Sequence, residues 1–577
     1  MSVAKEKILK SFYLLCALFG VLAVGIIFIF LLIKGIPGIA EIGFFKFLFG
    51  TKWQPVSGQY GILPLLTSTL AVTGLAILIG GGIGVLSAIF LARFCNKRFY
   101  KTLRNAINVL AGIPSVIFGF FGMQVVQKFF GIFTANGLGA GMLATGVVLS
   151  IMILPTVISV SLNSLNNVPD SYYEGAVALG ATHSGAVFKT VLPAAKNGII
   201  GAVILGLGRA VGETMAVQMV CGGVPNFPSL DKSILTITAA IVKDMGYAEG
   251  LAYDALISLG LVLLVFVLII TMFMHLSVSR KVKDRKFTFR LRLPQKDKTK
   301  NLNTKYSFYK FLSLLSMTLT IASLFGVVGF ILIKGIPHLN STLIFSIPQS
   351  YEDISMLPAL LNTLVIVAVT VVIAMPIGVF AAIYLAEYTK KGSKLVKLIR
   401  SAIEILTSIP SIIFGLFGNL LFVKFFGWGF SLIGGCLTVV LMILPLIIRT
   451  TEQALLEVDD SYREGSLALG ASKTRTIFKV VLPTAISGIV TGLILSIGRI
   501  IGESAVFIYT VGTAELAMPT SMGNQGITLS VLMYMWAKEG LHINEAYAVA
   551  VILLLVSLFI NIAANNAERI FKKRRMT

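Results

Sequence analysis

The chain says nearly the same thing twice. Residues Met152 to Pro193, MILPTVISVSLNSLNNVPDSYYEGAVALGATHSGAVFKTVLP, align without a gap on Met442 to Pro483, MILPLIIRTTEQALLEVDDSYREGSLALGASKTRTIFKVVLP. The same register carries GRAVGET (Gly208 to Thr214) onto GRIIGES (Gly498 to Ser504), both inside long apolar runs. A repeat of this extent means two copies of one structural unit. At 56% hydrophobic and 13% charged residues over 577 positions, with a mean hydropathy of +0.90, the unit belongs in a bilayer. Stretches long enough to cross, about 17–25 residues, fall near 11–33, 65–92, 106–130, 137–161, 198–221 and 252–276, then near 308–333, 359–386, 400–426, 430–450, 487–511 and 545–566. Six per half predicts an all-α membrane protein. An even number also predicts that both halves enter the membrane the same way round, as a parallel repeat.

The net charge of +23 does not indicate a nucleic-acid partner, because its placement alternates. Basic clusters sit at Lys5, Lys7 and Lys10; Arg93 to Arg104; Arg280 to Lys305; Lys390 to Arg400; and Lys572 to Arg575. With twelve spans they share one side, which the positive-inside rule makes cytoplasmic, together with both termini. The basic stretch 280–306 reads as a cytosolic linker that touches anionic lipid, between a first half at 1–279 and a second at 307–577. The first apolar segment is too long for a signal-peptide core and no cleavage pattern follows it, so an uncleaved anchor is expected. Cys16, Cys95, Cys221 and Cys436 are dispersed, and His183, His275, His338 and His542 group with no carboxylate or thiol; neither disulfide nor metal site is expected. Pro114, Pro376 and Pro410 are expected to bend or start helices.

After the fourth span of each half comes the least membrane-like stretch. Ser171 with Glu174, and Ser461 with Glu464, have capping-box spacing. Each predicted helix closes at Leu179 or Leu469, because Gly180 and Gly470 suit a left-handed residue just past the end. A second amphipathic piece runs to Pro193 or Pro483, where Pro suits the first turn of the next helix. This helix-Gly-helix knob resembles the EAA loop of permeases of ATP-binding cassette (ABC) importers: Glu174, Ala176, Gly180, Leu192 and Pro193 fit its spacing, as do Glu464, Gly470, Leu482 and Pro483. Gly175 and Gly465 replace its first Ala, and Ser466 its second in the later copy. The resemblance implies two type I importer transmembrane domains, in which Ser171, Tyr172, Glu174, Ala176, Gly180 and Ala181, with Ser461, Tyr462, Glu464, Gly470 and Ala471, dock on an ATPase. No G-x-x-x-x-G-K-[ST] loop occurs, so ATP is expected on a separate subunit and no cofactor in this chain; the resemblance implies two copies of that ATPase.

Arg209 lies about 18 Å along a helix from Lys196, near the middle of a hydrocarbon core about 30 Å thick. An arginine there costs at least about 2.5–3.5 kcal/mol and stays charged, so it should face a polar cavity. Glu213 follows four residues later, and Arg499 with Glu503 repeats the pair. An i, i+4 ion pair within each helix is one reading; two guanidiniums facing one cavity as a site for a tetrahedral oxyanion is the other. GRAVGET, with IPSVIFGFFG (Ile113 to Gly122) and IPSIIFGLFG (Ile409 to Gly418), resembles the two permease subunits of the phosphate-specific importer, PstC-type in the first half and PstA-type in the second. That resemblance implies inorganic phosphate as substrate, Arg209, Glu213, Arg499 and Glu503 as its path, a phosphate-binding protein on the outer loops 222–250 and 512–544, and a prokaryotic inner or plasma membrane location. The fusion into one chain is read as a departure from that family. Rival readings are a permease for sulfate or molybdate, a secondary carrier or channel, and a phosphate-sensing scaffold.

Overall fold

The computed structural model describes residues 3–133, 137, 139–280, 299–350, 353–389, 393–540 and 542–576. The core of the linker, 281–298, and the basic residues Lys390 and Lys391 lie outside them. Among the described residues nine helices are long and apolar enough to cross a membrane: α1 (Glu6–Ile42), α2 (Leu63–Phe94), α5 (Met142–Asn166), α11 (Gly250–Met272), α12 (Tyr306–His338), α13 (Leu357–Tyr388), α16 (Leu432–Leu456), α18 (Lys473–Gly502) and α21 (Ile543–Ala563). Three further spans are bent pairs: α3 (Lys97–Gly112) with α4 (Ser115–Gly131), α7 (His183–Ala194) with α8 (Lys196–Gly212), and α14 (Lys394–Ser408) with α15 (Ser411–Phe425). Twelve segments therefore appear in the expected order. The only paired strands among the described residues, Trp53–Gln54 and Gln59–Tyr60, form a small hairpin after α1.

The straight spans expected at 106–130 and 400–426 are corrected by bends of 91° and 97°. The cause is local. Pro114 and Pro410 lack an N–H and hold their preceding residues, Ile113 (φ −67°, ψ 127°) and Ile409 (φ −67°, ψ 126°), in extended backbone, so a new helix starts at the serine that follows. α3 and α14 are left across the direction of the spans. Each is amphipathic, exposing Lys97, Arg98, Lys101 and Arg104, or Lys394, Lys397 and Arg400, while burying Ile107 and Leu110, or Val396, Ile399 and Ile403. Such helices suit a membrane interface.

The two halves exchange their first helices. α1 packs on α13 and α14 of the second half, and α12 packs on α2 and α3 of the first. The apolar core divides accordingly. Near the EAA-like loops there are two separate cores, one built of second-half residues such as Ile448, Val458 and Val481 around Tyr13 and Cys16 of α1, the other of first-half residues such as Ile158, Val168 and Val191 around Met317 of α12. Toward the opposite end both halves contribute to a single core.

Candidate functional site

The GRAVGET and GRIIGES segments do not continue as helix. α8 ends at Gly212 and α18 at Gly502, and Glu213 (ψ 132°) and Glu503 (ψ 132°) are extended. Short helices then restart at α9 (Met215–Val220) and α19 (Ala505–Thr510). The i, i+4 ion pairs are therefore not made: among the described residues neither Arg209 nor Arg499 forms an ion pair with a carboxylate. Each carboxylate instead serves its own chain. Glu213 accepts from the Ala216 N–H (3.4 Å) and lies beside the Ser115 hydroxyl, and Glu503 lies beside the Val506 N–H and the Ser411 hydroxyl. The Arg209 guanidinium donates to Thr156 Oγ1 at 3.0 Å. A neutral oxygen orients a guanidinium without cancelling its charge. Arg499 has Leu446 where Arg209 has Thr156, and is exposed.

The halves meet at this level. Arg209 interacts electrostatically first with Glu213 and then with Arg499, and Glu503 first with Arg499 and then with Glu213, so the four charges share one field. A Cβ on Gly212 would stand 3.4 Å from Pro410, and one on Gly502 3.3 Å from Pro114, so each broken fifth helix abuts the bend of the opposite half. Two guanidiniums, two carboxylates and two serines that begin helices together offer partners to an anion that both accepts and donates hydrogen bonds.

Sequence reading missed the frame that holds this site. The stretches 222–250 and 512–544, expected as outer loops, contain α10 (Ile237–Asp244) and α20 (Leu529–Glu539), whose residues are mostly buried. Thr238 donates to the Glu213 carbonyl at 3.0 Å, and Ser530 donates to that of Glu503. The Ile237 N–H donates to Thr69 Oγ1 (3.1 Å) and the Leu529 N–H to Thr363 Oγ1 (3.0 Å). The signal was present as Thr236-x-Thr238 and Thr528-x-Ser530, the same hydroxyl pair in both copies.

The predicted knobs form as α6 (Asp170–Ala178) and α17 (Asp460–Ala468), each beginning one residue before the serine expected to cap it. The capping-box expectation is corrected accordingly. Pro169 occupies the cap position in the first knob, and in the second Asp459 caps by accepting from the Ser461 N–H at 2.8 Å. Their ends follow the sequence reading closely. Gly180 (φ +85°) and Gly470 (φ +81°) close paired 6→1 and 5→2 bonds, Ala181 N–H to Ala176 and Gly180 N–H to Val177 in the first copy, Ala471 to Ser466 and Gly470 to Leu467 in the second. Over Ser171–Gly180 and Ser461–Gly470 the order of exposed and half-buried positions is the same in all ten places. Tyr172, Glu174 and Leu179 (68% exposed) match Tyr462, Glu464 and Leu469 (91%).

Residues 80–284 and 374–576 each match the family model of the binding-protein-dependent transport system inner membrane component. The chain belongs to that family. The permease is 30% identical to a phosphate transport system permease protein PstA homolog of Mycoplasma pneumoniae, over 92% of this chain and 91% of that one. It is 39% identical to a probable ABC transporter permease protein, YqgH, of Bacillus subtilis, over 43% of this chain and 83% of the relative. It is 34% identical to the phosphate transport system permease protein PstC of Haemophilus influenzae, over 45% and 88%. The full-length mycoplasma match shows that the two-half chain is shared, which corrects the reading of the fusion as this chain's own departure.

Each half of the permease ties its knob to the end of its second span by different chemistry. In the first, Arg93 pairs with Asp170 (3.5 Å), and His183 bonds both the Tyr173 hydroxyl (2.7 Å) and the Arg93 carbonyl (2.9 Å). In the second, the charges are reversed: Glu387, at the position of Arg93, pairs with Arg463, at that of Tyr173, at 2.9 Å. Arg463 also donates to the Val458 and Leu455 carbonyls, both at 2.6 Å. The sequence reading had counted Arg93 only toward topology. Two ties between α14 and α16, Arg400 with Glu452 (2.6 Å) and Arg449 with Glu404 (3.6 Å), have no ion-pair counterpart between α3 and α5 among the described residues.

Proposed function

We propose that this permease moves inorganic phosphate into the cell between its two halves, with Arg209, Glu213, Arg499 and Glu503 forming the site it passes. The observation that carries this reading is the pair of intramembrane guanidiniums, one from each half, in one field with Glu213 and Glu503, with no carboxylate within ion-pair distance of either among the described residues. Near neutral pH phosphate keeps a proton that sulfate lacks. Glu213 and Glu503 would accept that proton's hydrogen bond and repel sulfate, while the arginines bind the remaining oxygens. The names of the phosphate-system relatives support the same substrate.

The two knobs take a separate ATPase, two copies of one subunit, because their exposed faces repeat each other almost residue for residue while their half-buried positions differ (Tyr173 against Arg463, Ala176 against Ser466). A phosphate-binding protein delivers from the opposite end. The alternating basic clusters put the knobs and both termini in the cytoplasm. The divided core near the knobs and the single core at the other end then correspond to a state closed to the outside.

The test is uptake by the chain reconstituted with its ATPase and binding protein. Labelled phosphate should accumulate only with ATP, tenfold excess sulfate should compete weakly, and Glu213→Gln should let sulfate compete several-fold better. Equal uptake of sulfate by the wild-type complex charged with a sulfate-binding protein would place selectivity outside this site.

A further inference from the structure

The two seams between the halves, related by the repeat, are chemically different at the end away from the knobs. On one, the Tyr253 hydroxyl of the first half donates to Asn419 Oδ1 of the second at 3.0 Å. Asn419 Nδ2 donates to the Tyr509 carbonyl at 3.0 Å, and the Tyr509 hydroxyl returns to the first half, donating to the Ile241 carbonyl at 3.1 Å. The Lys424 ammonium lies 3.2 Å from the centre of the Tyr253 ring. Asn419 and Tyr509 are 6% and 5% exposed. At the repeat-related positions the chain has Met123 for Asn419 and Met219 for Tyr509, and there the Tyr547 ring packs against Phe120 and Phe330. The first seam is stitched twice by hydrogen bonds; at the second, the corresponding positions make none among the described residues, and the buried Tyr534 hydroxyl and Gln218 side chain are its polar neighbours.

We propose that Tyr253, Asn419 and Tyr509 form a latch that holds the outer end of the path shut, so that the permease opens outward only when something else compensates for breaking it. Apolar packing alone has little preference in a bilayer, where lipid tails are as apolar as a side chain, whereas a hydrogen bond broken without water must find another partner. The latch thus biases the resting protein toward the state closed at that end. The inference rests on the reading of this chain as a permease with two alternating openings, and its test does not require phosphate.

Cys221 supplies a native reporter. It is fully buried and lies close to Tyr534 of the opposite half, and replacing Cys16, Cys95 and Cys436 by alanine leaves it as the single thiol. In membrane vesicles holding the complex of chain and ATPase, Cys221 should react slowly with an impermeant maleimide added outside, at a rate set by the open population. Asn419→Met, which gives the latch seam its counterpart's residue, and Tyr253→Phe should each speed labelling about three- to fifteen-fold, the range for one intramembrane hydrogen bond. Both should also raise ATP hydrolysis in the absence of binding protein by a similar factor. Met123→Leu, on the counterpart seam, should change neither. If Tyr253→Phe and Asn419→Met assemble with the ATPase and keep wild-type labelling and hydrolysis, the latch is overturned; failure of phosphate uptake with faster labelling would sink the substrate reading and leave the latch standing.

Discussion

Arg209 and Arg499 lie inside long apolar runs of the sequence, and the cost of placing a cation there makes them legible as candidate site residues, although the structure puts each in the last turn of its helix. Their partners were not visible. Whether Glu213 faces Arg209 depends on where a helix stops, and α8 stops at Gly212, where Glu213 turns extended, takes the Ala216 N–H and comes to lie beside Ser115. Thr156 was hidden for another reason: most intramembrane hydroxyls here bond their own helix four residues back, as Thr438 and Ser496 do, so a threonine in an apolar run carries little signal. Its role as the neutral anchor of Arg209 leads to a residue-level prediction. Thr156→Val should raise the apparent KM for phosphate roughly tenfold, in line with about 1.5 kcal/mol for a hydrogen bond to a charged group. It should leave the maximal rate nearly unchanged, and Thr156→Ser should restore the wild-type KM. A fall in maximal rate with unchanged KM would show that Thr156 only packs.

At the scale of elements, the knobs were the most legible part of the chain, because a helix stop at glycine and a restart at Thr182 or Ser472 are local events. Their starts were less so: Pro169 and Asp459 compete with the serine for the cap, and the choice depends on the φ of the entering chain. The bends at Pro114 and Pro410 were half legible, since proline announces a break and not its angle. Nothing lies within 4 Å of a Cβ placed on Gly180 or Gly470, so only the positive φ demands glycine there. Gly180→Val with Gly470→Val should therefore cost about 1–3 kcal/mol of backbone strain at each knob and leave ATP hydrolysis uncoupled from uptake, seen as a large drop in phosphate moved per ATP. Gly175→Ala with Gly465→Ala, in open space on ordinary helix, should be tolerated. Full coupling in the double valine variant would remove the knobs from the transmission of work.

For the whole molecule, the repeat gave the number of halves and their parallel sense, but not the exchange of α1 and α12 or the division of the core, because neither contact has a counterpart in local pattern. Those features make the two halves a hinged pair: joined at one end, separate at the knobs, with the four charges at the level between. The most direct measurement of that account is uptake of labelled phosphate by the reconstituted complex carrying Arg209→Ala and Arg499→Ala, singly and together, with assembly checked by co-purification of the ATPase. Each variant should assemble normally and lose nearly all uptake, and Arg→Lys at either position should recover little, since a point charge cannot replace the planar fork. Assembled Arg→Ala complexes that take up phosphate at the wild-type rate would contradict it, and the substrate would then pass elsewhere.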